Sequence, residues 1–165
     1  GKNVGQCLLT NSPNKGDGIG KNTGRAFSGV MKGTRDVDPF MQITAELGIN
    51  ASSQVVSCPQ AGGYGGAMGP AQFIPSTWII YKNRIATAVG QRPPNPWNPR
   101  TAFFASALYM QDLGAAGGSE ADENRAARKY YAGSNYNTSR AYDYSYIVLG
   151  HAEEFQRQID ILEGN

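Results

Sequence analysis

Gly62-Gly63-Tyr64-Gly65-Gly66-Ala67-Met68-Gly69-Pro70-Ala71-Gln72-Phe73-Ile74-Pro75-Ser76-Thr77-Trp78 is the most informative stretch of this chain. Five glycines in the eight positions from Gly62 to Gly69 give a backbone that can take positive φ and approach a ligand closely, at an entropic cost a plain connector does not need. One aromatic, Tyr64, stands inside the loop. Just past it, Gln72 carries an amide that donates and accepts at once, which suits sugar hydroxyls and acetamido groups. Phe73, Ile74 and Trp78 are apolar anchors for a core. Together these residues describe a rigid, ligand-facing wall with one stacking ring and few charges; a functionless glycine-rich surface loop is the blander reading of the same composition. The stretch holds no lysine and no GxxxxGK[ST] pattern, which argues against a phosphate cradle.

The run Gly66-Ala67-Met68-Gly69-x-x-Gln72-Phe73-x-Pro75-Ser76 resembles the signature of the soluble lytic transglycosylases of the membrane-bound lytic transglycosylase B type, with eight fixed positions of mixed type. The resemblance implies an all-α, goose-type-lysozyme-like (SLT) domain with Gly-rich loops lining a groove. It also implies cleavage of peptidoglycan between N-acetylmuramic acid and N-acetylglucosamine. Ala127-Arg128-Lys129-Tyr130-Tyr131-Ala132-Gly133 is similar to the family's Tyr-Asn-Ala-Gly motif, with Tyr130 on the functional tyrosine and Tyr131 departing from the usual Asn. Gly1-Lys2-Asn3-Val4-Gly5 resembles the segment that follows the catalytic glutamate.

By that third match the family's catalytic Glu falls upstream of Gly1, and the resemblance transfers a catalytic role to no residue of this chain. Asp17, Asp36, Asp38 and Glu46 stand in no family motif. Two readings stay open: a lytic transglycosylase domain over residues 1–165, cut just after its acid, or a non-catalytic peptidoglycan-binding module. The substrate-binding roles the resemblance implies are Tyr64 and Gln72 against the sugar and its acetamido group, Met68 as an adaptable apolar wall, and Tyr130 as a hydroxyl donor. A chain cut at this point would also lack a central helix and expose apolar surface near Trp78 and Phe103. That predicts self-association through the gap or a mobile N-terminal segment up to about Thr34.

A chain of 165 residues, 40% hydrophobic, is one ordinary globular domain. Its net charge of +2 is scattered, which gives no reason to expect a nucleic-acid partner and is compatible with an anionic wall polymer. No apolar run is long enough to span a membrane. Cys7 and Cys58 form one bridge or remain two buried thiols; a bridge would place the protein outside the cytoplasm, in the cell envelope or secreted. With one His and no CxxC pair, no metal or other cofactor is implied.

Residues 2–34 lack periodicity and read as mostly irregular. Asp38 then reads as an N-cap with Pro39 at the first helical position, Phe40, Ile43, Thr44 and Leu47 sharing a face before Gly48. Residues 49–61 read as a loop. Ser76 reads as the cap of a helix that buries Trp78, Tyr81, Ile85 and Val89 and closes at Gly90. Residues 93–99 read as a stiff connector leading into a central buried helix that carries Phe103, with Asn98 as its N-cap. Ser119-x-x-Asp122 reads as a capping box opening a helix over about 120–131. Val148, Ala152, Phe155, Ile159 and Leu162 form the stripe by which a last helix should pack on the bundle. His151 reads as a surface or packing residue. The Tyr136, Tyr142, Tyr144 and Tyr146 cluster reads as packing, or as a sugar-stacking surface.

Overall fold

A computed structural model describes residues 5–10, 15–60 and 62–164. Of these, 58% are helical, and a small antiparallel sheet accompanies the helices. The expected all-α fold is thus mainly helical but not purely so. Four short strands account for the difference: β1 (Gln6–Leu9), β2 (Gly18–Gly20), β3 (Ala26–Phe27) and β4 (Val56–Ser57), in the order β3-β2-β1-β4. The front segment and the 49–61 loop, both expected to be irregular, supply them. Gly1–Val4, in the third stretch read as a resemblance, lies outside the described residues.

The contacts fall into two compact units, divided between Ala105 and Ser106. In the first, Cys7 occupies the centre of the sheet, opposite Gly20 on one side and Val56 on the other. Its side chain is fully buried and bonded to Cys58, 51 residues away, which settles the choice between bridge and thiols. Helix α1 (Asp38–Glu46) buries Phe40, Ile43 and Thr44, and the Thr44 hydroxyl donates to the Phe40 carbonyl at 3.0 Å. Asp38 is the first helical residue rather than the cap. It is preceded by a π-helical turn, Gly33–Val37, whose Asp36 is fully buried.

Helix α2 (Pro75–Val89) begins at Pro75, with Pro in the position where a missing N–H does no harm. Ser76 does not cap it. Asp36 does so from a distance: its carboxylate accepts from the Ser76 hydroxyl at 2.7 Å and the Ser76 N–H at 3.3 Å, and is itself held by Arg35. A buried carboxylate beside the first N–H groups of a helix satisfies donors that would otherwise have no partner. Trp78, Tyr81 and Ile85 are buried along α2 as the spacing predicts, with Ala86 in place of Val89.

Residues 93–99 do more than connect. Pro94 and Pro96 are buried, Trp97 packs edge-on to Phe40 (ring centroids 6.2 Å apart), and its indole N–H donates to the Val55 carbonyl at 2.9 Å. Helix α3 (Pro99–Asp112) opens at Asn98, whose side chain accepts from Thr101 N–H at 3.2 Å. Only its small residues Thr101, Ala102 and Ala105 are buried. Phe103 is 65% exposed, so α3 is not the central buried helix that was expected.

In the second unit, α4 (Glu120–Ala132) is capped by Ser119, whose hydroxyl oxygen accepts from Asp122 N–H while donating to the Asp122 carboxylate. That bond, with Arg125, holds the Asp122 carboxyl below its ordinary range. Helix α5 (Ser139–Glu163) returns along α4. Arg128 ties the two helices together: its guanidinium lies over Tyr142 at 4.3 Å and Tyr136 at 5.5 Å and donates to Asn137. Tyr131 stacks on Tyr144 at 4.8 Å. Three of the four clustered tyrosines, Tyr136, Tyr142 and Tyr144, are therefore engaged in packing within this unit, while Tyr146 is exposed. The stripe expected to pack α5 on a bundle does so only near its start. Phe155, Ile159 and Leu162 are 60%, 44% and 86% exposed.

Candidate functional site

The glycine-rich wall is pinned along one strand. Ser57 N–H donates to the Ala67 carbonyl, Gly66 N–H to the Ser57 carbonyl, and Ala67 N–H to the Ser57 hydroxyl, at 2.8 to 3.0 Å. Met68 continues this pairing with β-bridges to Val56 and Phe73. Its side chain is fully buried. Met68 therefore underlies the wall as core and does not face a ligand, a correction to its expected role; in a bridge the side chain opposite the solvent face points inward, and sequence cannot tell which face that is.

Gly69 fixes the wall against the 93–99 segment. It has φ of 61° and lies so close to the Pro96 carbonyl that any Cβ there would overlap it. Three residues on, Gln72 also has positive φ, 56°, the one non-glycine residue among those described to do so. Its side-chain amide donates to the Gly69 carbonyl at 2.8 Å, and its backbone N–H reaches the same oxygen at 3.2 Å. A left-handed non-glycine backbone costs about 1–2 kcal/mol and persists where the surroundings hold it, often at functional sites. Gln72 is exposed, and the amide is held in one orientation with its own carbonyl oxygen still available.

Tyr64 is 55% exposed. Its ring rests against Gly29, where an added Cβ would come within 3.1 Å of the ring edge. Gly29 is left-handed, at φ 70°, and its N–H donates to the Asp17 carboxylate at 2.8 Å. The turn on which the ring lies is thus fixed by a carboxylate from the start of β2, and an open aromatic face results. Sequence reasoning missed Gly29 and Asp17, because nothing local links them to a loop more than thirty residues away.

The carboxylates of the first unit are committed elsewhere. Asp17 holds Gly29, Asp36 caps α2, and Asp38 pairs with Lys15 at 3.2 Å. Glu46 pairs with Lys82 at 2.5 Å, and that hydrogen bond, with a second from Gln42, holds its carboxyl below the usual carboxylate range. An acid so stabilised in its charged form is a poor proton donor near neutrality. The pair lines a cavity of about 330 Å³ with Asn83, Ala86, Arg92, Pro93 and Pro94, which shares no residue with the wall.

Tyr130 belongs to the second unit. Its hydroxyl lies 3.1 Å from the Ser106 hydroxyl and its ring tilts onto Tyr109 at 5.2 Å. Burial pushes its pKa up to about 12. It is a neutral hydroxyl at any physiological pH. Its neighbour Tyr131 stacks on Tyr144 within the same unit. No family model, no curated protein and no solved structure matches the chain.

Proposed function

We propose that this chain holds peptidoglycan glycan strands, as the glycan-binding part of a lytic transglycosylase that works outside the cytoplasm. The observation that carries the reading is the left-handed backbone and fixed side-chain amide of Gln72, in the same glycine-rich stretch of sequence as the open ring of Tyr64. Such a surface offers what a pyranose needs: an aromatic face for its C–H side and an oriented acceptor for a hydroxyl or acetamido N–H. The Cys7–Cys58 bond fits an oxidising compartment.

On this reading the chemistry uses a single Glu that gives and takes one proton. It protonates the glycosidic oxygen as the bond from muramic C1 to N-acetylglucosamine breaks, then takes the proton of the muramic C6 hydroxyl as that oxygen closes on C1, and no water enters as nucleophile. The wall positions the sugar. The resemblance assigns this Glu to no residue of the chain, and the carboxylates at its front already have structural partners. That same commitment of carboxylates favours the second reading, a binding module without catalysis.

Calorimetric titration with chitooligosaccharides and muropeptide fragments tests the wall. Tyr64→Ala is expected to weaken binding by about 1 kcal/mol, the worth of one stacking face. Equal affinity for wild type and Tyr64→Ala removes the assignment. Release of anhydro-muropeptides, assayed on a chain extended upstream of Gly1, separates the enzyme from the module.

A further inference from the structure

The cavity beside the Glu46–Lys82 pair is built by three segments of the first unit: the last residue of α1, the second half of α2 and the turn that follows α2. At about 330 Å³ it lies at the lower end of the roughly 300–1,000 Å³ of small-molecule sites. Ala86 and Pro94 are buried and give it an apolar floor. Pro93 and Pro94 line one side, and because each ring fixes its own φ that side is stiff.

The charged groups around the cavity are unequally committed. Lys82 Nζ and Gln42 Nε2 both donate to one oxygen of Glu46, Oε1, at 2.5 and 2.8 Å. The other oxygen, Oε2, accepts from none of the described residues, and the Glu46–Lys82 pair as a whole is neutral. Arg92 has no carboxylate partner among the described residues. Its Nη2 donates to the Thr87 hydroxyl at 3.3 Å, and that hydroxyl donates to the Asn83 carbonyl at 3.0 Å. The guanidinium is thus tethered to α2 while its other N–H groups stay undirected. The cavity therefore carries one uncompensated positive charge, together with an open carboxylate oxygen and an apolar floor.

Each of these features selects a different part of a ligand. A guanidinium fork matches a carboxylate, with two parallel hydrogen bonds. The open oxygen of Glu46, a carboxylate held in its charged form by Lys82 and Gln42, calls for an N–H. The floor of Ala86 and Pro94 suits a small apolar side chain. Phosphate or sulfate would leave that floor unmatched and set its oxygens against Glu46. A free amino acid would bring an ammonium beside Lys82 and Arg92. The last residue of a peptide carries a single negative charge, an amide N–H and a side chain on adjacent atoms, and meets all three requirements.

We propose that this cavity binds the free C-terminal end of a short peptide whose last residue is small and apolar, with the terminal carboxylate on Arg92, the last amide N–H on Glu46 Oε2 and the side chain over Ala86 and Pro94. The site shares no residue with the glycine-rich wall and does not depend on glycan binding.

The test uses N-acetylalanine, which reduces such an end to one residue; each enantiomer is titrated into the whole chain and followed by amide NMR spectra. For so small a ligand a dissociation constant on the order of 10⁻³ M is expected. The Asn83, Ala86 and Arg92 amides should shift saturably with at least one enantiomer. N-acetylalaninamide, which lacks the charge, and acetate, which lacks the amide N–H and the side chain, should each bind at least about tenfold more weakly. Arg92→Gln should cost the same, and because Arg92 is exposed the same spectra show that the variant keeps its fold. Lys21→Gln, which removes an exposed cation that does not line the cavity, should change nothing. No saturable shift with either enantiomer up to about 50 mM, well above that constant, overturns the proposal. So does equal binding of N-acetylalaninamide or acetate, an Arg92→Gln variant that binds like wild type, or a loss as large with Lys21→Gln.

Discussion

Gln72 is the residue at which stability and binding pull in opposite directions. Glycine at that position would relieve the cost of a left-handed backbone, offset in part by the extra freedom glycine has when unfolded, for a net change of about 0 to 1 kcal/mol in favour of the fold. It would also delete the amide fixed on the Gly69 carbonyl. Gln72→Gly is therefore expected to melt at the same temperature as wild type or higher, and to bind chitooligosaccharide more weakly. A clear drop in melting temperature by calorimetry would show that the side-chain bond to Gly69, and not a ligand, is why glutamine is kept there. Gly29 and Asp17 show the complementary pattern: neither touches a ligand in the proposed reading, yet together they decide where the Tyr64 ring lies.

The helices α3, α4 and α5 carry a second testable feature in their tyrosines. Tyr130 has its pKa raised from 10 to about 12 by burial, and Tyr109 and Tyr144 are raised for the same reason. The unfolded chain gives up these protons first as pH rises past 10, so the folded state binds more protons there and stability falls with pH. Tyr130 alone accounts for about 2–3 kcal/mol of loss, absent below pH 10 and complete above 12. Denaturation followed by far-ultraviolet circular dichroism at increasing alkaline pH should show this loss. Tyr130→Phe should make it shallower without abolishing it, since two other raised tyrosines remain. An identical alkaline profile for the variant would mean that the Tyr130 hydroxyl is already open to solvent.

For the molecule as a whole, the covalent link between Cys7 of β1 and Cys58, just after β4, is a long-range tie within the first unit. Closing a loop of 51 residues removes unfolded-state freedom worth about 4 kcal/mol in the chain-entropy model. Both tryptophans, Trp78 and Trp97, belong to that unit, so their fluorescence reports its unfolding separately from α4 and α5. Urea titrations with and without reductant should shift the tryptophan transition by that order of free energy. An unchanged midpoint would mean that the sheet closes this loop equally well without the bond. Of the two places where exposed apolar surface was expected, Trp78 is only 1% exposed and packs edge-on to Phe73, 5.6 Å away, whereas Phe103 is 65% exposed.

Local chemistry made several parts of this protein legible from its residues. Gly90 closes α2, Ser119 and Asp122 open α4, Asn98 caps α3, and the spacing of Phe40, Ile43 and Thr44 marks the buried face of α1. Each of these depends on neighbours within about one helical turn, which is the range over which periodicity and capping act. The glycine-rich wall was also visible, because glycine at that density has a backbone consequence whatever surrounds it. Tertiary structure decided the rest. Strands of two to four residues carry too little alternation to be read, and they form because Cys7 lies between partners at Gly20 and Val56. Asp36 caps a helix forty residues away, Met68 is buried by the face its bridges select, and Tyr64 lies on a glycine more than thirty residues earlier. The outer half of α5 has the apolar pattern of a packed helix and stays exposed because α4 ends first. A sequence gives the pattern of a face, and only the neighbouring element's length decides whether that face is covered.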